Sequence, residues 1–200
     1  TFDTIYHEHV SYHSLKPLLF FFKKYNLEVF DFDLIKAQGG SIRVYVSKKD
    51  HQLVKTKKIY NQIKKEEQIN LFKKETFKKY YSKIKKEKIK LNKLIKSLKE
   101  NKERIVGFGA PAKLTTFSYV FDISKKKVDF IIDDNPLKQN TFSPGKKIPI
   151  KDYEFLKRNK WDTIIIFAWN FSDSIILKLK KDFKNKKIII PFPQPKIIRI

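Results

Sequence analysis

Hydrophobic positions change their period several times along this 200-residue chain. Leu15, Leu18, Leu19 and Phe22 recur at helical spacing behind Ser14 or Ser11, either of which can cap a helix ending near Asn26. Glu28–Ile35 and Ser41–Val46 then alternate or run apolar with β-branched content. Ala37-Gln38-Gly39-Gly40 lies between them, so the pattern predicts two antiparallel strands joined by a turn. From Gln52 to Asn101 there is neither Gly nor Pro. Apolar residues at Ile59, Ile63, Ile69, Phe72, Phe77, Tyr80, Ile84, Leu91, Ile95 and Leu98 predict one long amphipathic helix or two in series.

The remainder changes character again. Arg104–Gly109 reads as a short buried strand entering Ala110-Pro111-Ala112-Lys113, followed by a helix through Leu114, Phe117 and Val120. Val128–Asp133, Thr163–Ala168 and Lys187–Ile190 read as further strands, with a helical stretch from Asp173 to Phe183. Runs of Ile without alternation mean strands buried on both faces, hence a parallel sheet covered by helices. The fold class is therefore α/β. Phe2–Ile5 reads as the end of a buried strand, and the sequence holds no Met. The chain is thus expected to be the C-terminal portion of a larger protein, divided at 1–50, 51–102 and 103–200.

Composition narrows the picture. Hydrophobic residues make up 41% of the chain, enough for a real core and too much for wholesale disorder. The absence of Cys removes disulfides and thiolate metal sites, and fits a cytoplasmic location. No apolar run approaches the roughly 18 residues needed to span a bilayer. A net charge of +24 would ordinarily suggest nucleic acid or an anionic membrane. Between Gln52 and Arg104, however, 19 Lys or Arg face 6 Asp or Glu, and nearly all of those cations are Lys. Arg, whose planar fork reads bases, is rare, and no aromatic-interleaved RNA-binding motif occurs. Neither a specific nucleic acid nor a membrane is the expected partner, and packing on the flanking parts accounts for the apolar face of the basic helix better than a lipid surface does.

Candidate chemistry concentrates at the start. Three of the four histidines, His7, His9 and His13, fall in the first thirteen residues, beside Tyr6 and Glu8. An imidazole, a carboxylate and a phenol in one short segment suit proton transfer near neutral pH; a histidine-rich surface loop is the plainer reading. In a regular strand Tyr6 and Glu8 would face away from His9. Convergence of the three requires a loop from about Tyr6. His7 and His13 are expected to be structural, since a metal site from His7, His9 and His13 has no closing ligand.

A second candidate is Gly107-Phe-Gly109-Ala-Pro-Ala112, a dinucleotide-binding pattern with Ala in its last position, followed by Asp133-Asp134 after the next strand. Pro111 removes a backbone donor, and Lys113 brings a cation where a phosphate would dock. A nucleotide diphosphate fits this pattern as well as NAD does, and so does a tight strand-to-helix turn without a ligand. Asn135, Lys138 and Trp169-Asn170 follow strand ends on the edge where open parallel sheets bind ligands.

Taken together, Thr1–Leu15, Gly39–Tyr45, Gly107–Lys113, Asp134–Gln139, Pro144-Gly145, Ile148-Pro149-Ile150 and Trp169-Asn170 resemble the C-terminal half of the S-adenosylmethionine-dependent sugar C-methyltransferases. The resemblance spans nearly the whole chain except the lysine-rich helical part. It implies the end of a Rossmann-like methyltransferase sheet, a long connecting helix, and a second Rossmann-like domain that anchors a nucleotide sugar. It further implies that S-adenosylmethionine is bound mainly by upstream residues and zinc only upstream, so that this portion alone is inactive. Ala37-Gln38 stands where the family's pattern has His before the double glycine. Carbon methylation needs an enolate, which assigns His9 as the base, Glu8 as the group that orients or polarises the site, and Tyr6 as the donor to the enolate oxygen. The substrate is expected at Gly39, Gly40, Ser41, Arg43, Gly109, Lys113, Asn135, Lys138 and Asn170, with no metal. An NAD-binding oxidoreductase module and a non-catalytic nucleotide-sugar-binding fragment are the competing readings.

Overall fold

A computed structural model describes residues 2–36, 40–51 and 53–200. The chain forms two compact units, one comprising residues 11–82 and the other residues 1–10 with 83–200.

In the unit of residues 11–82, helix α1 (Leu15–Lys23) precedes an antiparallel hairpin of β1 (Leu27–Ile35) and β2 (Ser41–Lys48), as the hydrophobic pattern predicts. Of the predicted turn, Ala37, Gln38 and Gly39 lie outside the described residues; Gly40 has φ +127°, a conformation that favours glycine. Leu15, Val29, Phe32 and Ile59 form the core of this unit, with Leu19, Phe22, Val44 and Ile63 packed against it. Helix α2 (Lys57–Gln68) is tied to β1 at its start. The Thr56 amide donates to the Phe30 carbonyl at 3.0 Å and its hydroxyl to Asp31 Oδ1 at 2.7 Å. That hydroxyl bond holds the Asp31 carboxyl below its ordinary range.

Ser14 occupies the N-cap of α1 but makes no side-chain capping bond. The cap comes from the other helix: buried Glu66 of α2 accepts from the Leu15 amide at 2.8 Å and the Lys16 amide at 3.1 Å. A carboxylate on the first N–H groups of a helix satisfies orphan donors and complements the macrodipole.

The helical tract is two helices in series. After α2 the chain turns through Asn70, at φ +51°, and enters α3 (Lys74–Glu100). The seam of Ile84, Leu91, Ile95 and Leu98 on α3 is buried in the core of the second unit, as expected of a packing face. No helix among the described residues is long and apolar enough to cross a membrane.

The second unit is a six-stranded, mostly parallel sheet flanked by helices. Its strands are β3 (Ile105–Phe108), β4 (Ile131–Ile132), β5 (Ile150–Lys151), β6 (Thr163–Ile166), β7 (Lys187–Ile190) and β8 (Lys196–Arg199), in the order β5-β4-β3-β6-β7-β8. All neighbours pair parallel except β7 with β8. The first strand, β3, lies inside the sheet, and the chain builds outward from it first on one side and then on the other. The resulting order is that of doubly wound nucleotide-binding sheets, with the reversal point between β3 and β6. Alternate residues feed two cores. Ile105, Ile131, Ile165 and Ile189 pack with α4 (Lys113–Val120) and α3 on one face; Val106, Ile132, Ile164 and Ile188 pack on the other with α5 (Tyr153–Arg158) and α6 (Ser172–Asp182).

Three differences from the sequence reading have physical causes. Phe2–Thr4 is a 3-10 turn closed by the Ile5 amide on the Phe2 carbonyl, not a strand end; its apolar character serves the burial of Phe2 against aromatic rings. The strand expected over Val128–Asp133 is regular only at Ile131–Ile132, although backbone bonds reach from the Asp129 amide on the Ile105 carbonyl at 2.9 Å to the Asp133 amide on the Lys151 carbonyl at 3.1 Å, and the Asp129 side chain meets Lys99 at 3.1 Å and Arg104 at 3.4 Å. The antiparallel β8 follows the proline-bearing segment Pro191–Pro195, which reads as a loop.

Glu66→Ala is expected to destabilise residues 11–82 by about 1–3 kcal/mol, because two amide donors lose a buried partner. Urea denaturation followed through α-helical circular dichroism measures it, and an unchanged midpoint would refute the cap.

Candidate functional site

The opening segment belongs to the sheet-bearing unit. After the 3-10 turn it bends again, with the His9 amide bonded to the Tyr6 carbonyl at 2.9 Å. The predicted loop is therefore present, and it brings Tyr6 and His9 together with ring centroids 4.3 Å apart. His9 Nδ1 lies 2.8 Å from the Thr4 carbonyl oxygen. A carbonyl can only accept, so Nδ1 carries the proton, and in the neutral ring Nε2 holds the lone pair. The Tyr6 hydroxyl, 3.2 Å away, donates to that lone pair. Both residues are half-buried. In its neutral form the ring thus has one tautomer, with a phenol at its basic nitrogen, a pairing suited to taking up a proton.

Glu8 stands apart from this pair. It is exposed, and the ring of His7, also exposed, lies 3.9 Å from its carboxylate. The orienting group for His9 is the backbone carbonyl of Thr4, which no side-chain pattern in the sequence could reveal. His13 lies in the other unit, where Ser11 Oγ is 3.0 Å from its Nε2. Among the described residues no group of three or more His, Asp or Glu is placed to hold a metal ion.

The other cluster sits at the reversal point of the sheet, where the turn after β3 meets the turn after β6. Gly107 and Gly109 are needed for different reasons. A Cβ at Gly107 would come within 2.6 Å of the Phe167 ring and 2.9 Å of Ile131, so packing forbids it. Gly109 has φ +87°, and a Cβ there would lie 2.5 Å from the Ala168 Cβ. Asp133, 9% exposed, braces this turn: Oδ2 accepts from the Ala110 amide at 2.6 Å and Oδ1 from the Asn135 amide at 2.9 Å. Lys138 Nζ donates to the Ala110 carbonyl at 2.9 Å. The Asn135 side chain accepts from the Leu137 amide at 3.0 Å, closing the next turn on itself. Asp134 pairs with Lys178 at 2.7 Å.

These bonds change the reading of the glycine motif. The acid that would hold a ribose is spent on the loop, its neighbour is ion-paired, Pro111 has no N–H, and the Gly109 amide is bonded to the Ile132 carbonyl at 2.6 Å. A dinucleotide finds few of its usual partners. Lys113, at the start of α4, holds its ammonium 4.2 Å from the centre of the Trp169 ring, and Asn170 beside it is exposed. Gly109, Lys113, Asn135, Lys138 and Asn170 thus gather at one sheet edge, with Asn135 and Lys138 shaping the turn. Gly40, Ser41 and Arg43 belong to the hairpin of the other unit. There Arg43 is exposed opposite Asp33 in the strand register, and Asp33 also accepts from the Tyr45 hydroxyl at 2.8 Å. Gly39 lies outside the described residues.

Gly109→Ala is expected to cost at least about 2 kcal/mol, from the left-handed backbone and the collision with Ala168 together. A thermal melt measures the loss, and a midpoint equal to that of the parent chain would show that the turn is looser than described.

Comparison with known proteins supplies the last element. A family model described as the C-methyltransferase C-terminal domain matches residues 36–193. The chain is also 28% identical over 200 residues to a protein named C-methyltransferase NovU, from Streptomyces niveus, covering 98% of this chain and 47% of that protein. It spans about half the length of that curated relative. With a doubly wound sheet, a glycine turn at its reversal point and a match over most of its length, the chain belongs to the C-methyltransferase C-terminal domain family.

Proposed function

We propose that this chain is the C-terminal portion of an S-adenosylmethionine-dependent C-methyltransferase acting on a nucleotide-linked keto-sugar, with His9 as the base that generates the enolate. In this reading α1 and the β1–β2 hairpin complete a methyltransferase sheet, and the six-stranded unit holds the nucleotide. The observation that carries it is the Tyr6–His9 pair. Membership of the family implies the methyl donor S-adenosylmethionine. The glycine turn after β3 does not fit its nucleoside, because Asp133 is committed to the Ala110 and Asn135 amides. The donor is therefore assigned to other residues, and the steps given to this chain end at the enolate.

The chemistry follows from the tautomer. A keto group acidifies the C–H bond beside it; His9 Nε2 takes that proton, and the C–H electron pair moves into the enolate. Nδ1–H stays on the Thr4 carbonyl throughout, so the positive charge formed on the ring is stabilised by the same bond that fixed its orientation. At rest the Tyr6 hydroxyl occupies Nε2. When substrate arrives, that hydroxyl transfers its hydrogen bond to the sugar's carbonyl oxygen, where charge develops. Glu8, away from the pair, acts on the substrate side or through solvent. Lys113 and Asn170 meet the diphosphate and its neighbours at the sheet edge, with Gly109 allowing close backbone approach. Gly39, Gly40, Ser41 and Arg43 are assigned to the substrate from the family resemblance of their sequence motif alone.

His9→Ala in the complete methyltransferase is expected to lower kcat by about 10²- to 10⁴-fold while S-adenosylmethionine still binds, as read by methyl-transfer assay and calorimetry. Near-normal turnover would remove His9 from the chemistry.

Lys113→Ala is expected to weaken binding of the nucleotide sugar by about 10- to 100-fold, the scale of one lost charge-assisted bond. Titration calorimetry with a nucleoside-diphosphate sugar and, in parallel, NAD decides between the two ligands. Tight NAD binding without sugar-nucleotide binding would favour an oxidoreductase module.

A further inference from the structure

The segment that precedes His9 is held by the helix that follows the glycine turn. We infer that Phe2 and Thr116 are positioning residues for His9, so that α4 sets the geometry of proton abstraction as well as carrying Lys113. The inference rests on the reading of His9 as the base.

The chain of contacts is short and continuous. Phe2 is 4% exposed. Its ring stacks on Phe121 at 5.6 Å, lies 6.3 Å from Phe117, and meets the edge of Phe192 at 5.1 Å. Phe117 is a residue of α4, and Phe121 directly follows that helix. Three residues later, the Ile5 carbonyl accepts from the Thr116 hydroxyl at 2.5 Å, a bond between residues 111 apart in sequence. Phe2 and Ile5 flank Thr4, so the peptide carrying the Thr4 carbonyl is fixed from both sides. That carbonyl receives His9 Nδ1–H. A hydrogen bond at one ring nitrogen decides the tautomer and the direction of the other nitrogen. The order of control is therefore α4, then Phe2 and Ile5, then the Thr4 carbonyl, then Nε2 of His9.

The placement has a functional corollary. Lys113 opens α4 and Thr116 lies one turn later, so the side chain assigned to the diphosphate and the hydroxyl that holds the base share one turn of helix. A nucleotide pulling on Lys113 acts on the same rigid element that aims the imidazole. Neither Thr116 nor Phe2 touches the substrate in this scheme; both act through the Thr4 carbonyl.

The test separates positioning from simple stabilisation. Thr116→Val keeps the shape of the side chain and removes only the donor; Thr116→Ser restores it. Histidine-selective ¹⁵N NMR of the 200-residue chain reads the tautomer of His9 directly. The expected result is a dominant Nδ1–H form in the parent chain, a loss of that dominance in Thr116→Val, and its return in Thr116→Ser. In the complete methyltransferase, kcat should fall roughly ten- to a hundredfold in Thr116→Val with KM for the sugar nucleotide unchanged, and recover with Ser. An unchanged tautomer in Thr116→Val, or failure of Ser to restore it, overturns the positioning role even if His9→Ala abolishes turnover. If instead Thr116→Val shifts the tautomer but His9→Ala retains activity, the placement stands and the base assignment falls.

Discussion

The backbone of β3 passes between β4 and β6 with no room for a side chain at position 107 and none at position 109. Everything at the sheet edge follows from that constraint. Because Gly109 lies against Ala168, the turns after β3 and β6 touch just before α4 begins. That helix carries Phe117, Thr116 and Lys113. One narrow passage thus sets the packing of the opening segment and the position of the cation beside Trp169.

Polar bonds around the passage explain why a familiar motif takes an unfamiliar role. In a dinucleotide site the acidic residue after the second strand is left for the ribose. Asp133 instead accepts from the Ala110 and Asn135 amides, while Lys138 donates to the Ala110 carbonyl. A nearly buried carboxylate with both oxygens used belongs to the loop's architecture. In the proposed reading the ligand relies on Lys113 and exposed Asn170 and not on a ribose-holding acid.

Much of the fold was legible because long-period signals survive in a lysine-biased sequence. The Ile runs of β6 and β7 can only be two-sided strands, and the gap in Gly and Pro from Gln52 to Asn101 leaves little besides helix. Short elements were not legible. The two-residue β5 carries no period at all, and Phe2–Thr4 gives the same apolar signal whether it pairs as a strand or buries one ring. The candidate site divides the same way. Tyr6 and His9 stand out by side-chain chemistry, and the loop that unites them follows from strand geometry. The Thr4 carbonyl and the Thr116 hydroxyl do not, since one is backbone and the other an ordinary helix residue 111 positions from its acceptor. Asp133 was visible as an acid, but its partners were visible only in three dimensions.

The carboxylate that closes the first turn of α1 has a consequence for how the molecule is made. Its donor amides, of Leu15 and Lys16, leave the ribosome 51 and 50 residues before Glu66 does. Until then the start of that helix has no buried acceptor and frays into water, so nascent chains shorter than this carry an unfinished α1. The order of synthesis thereby delays the maturation of residues 11–82 until α2 has been almost wholly translated.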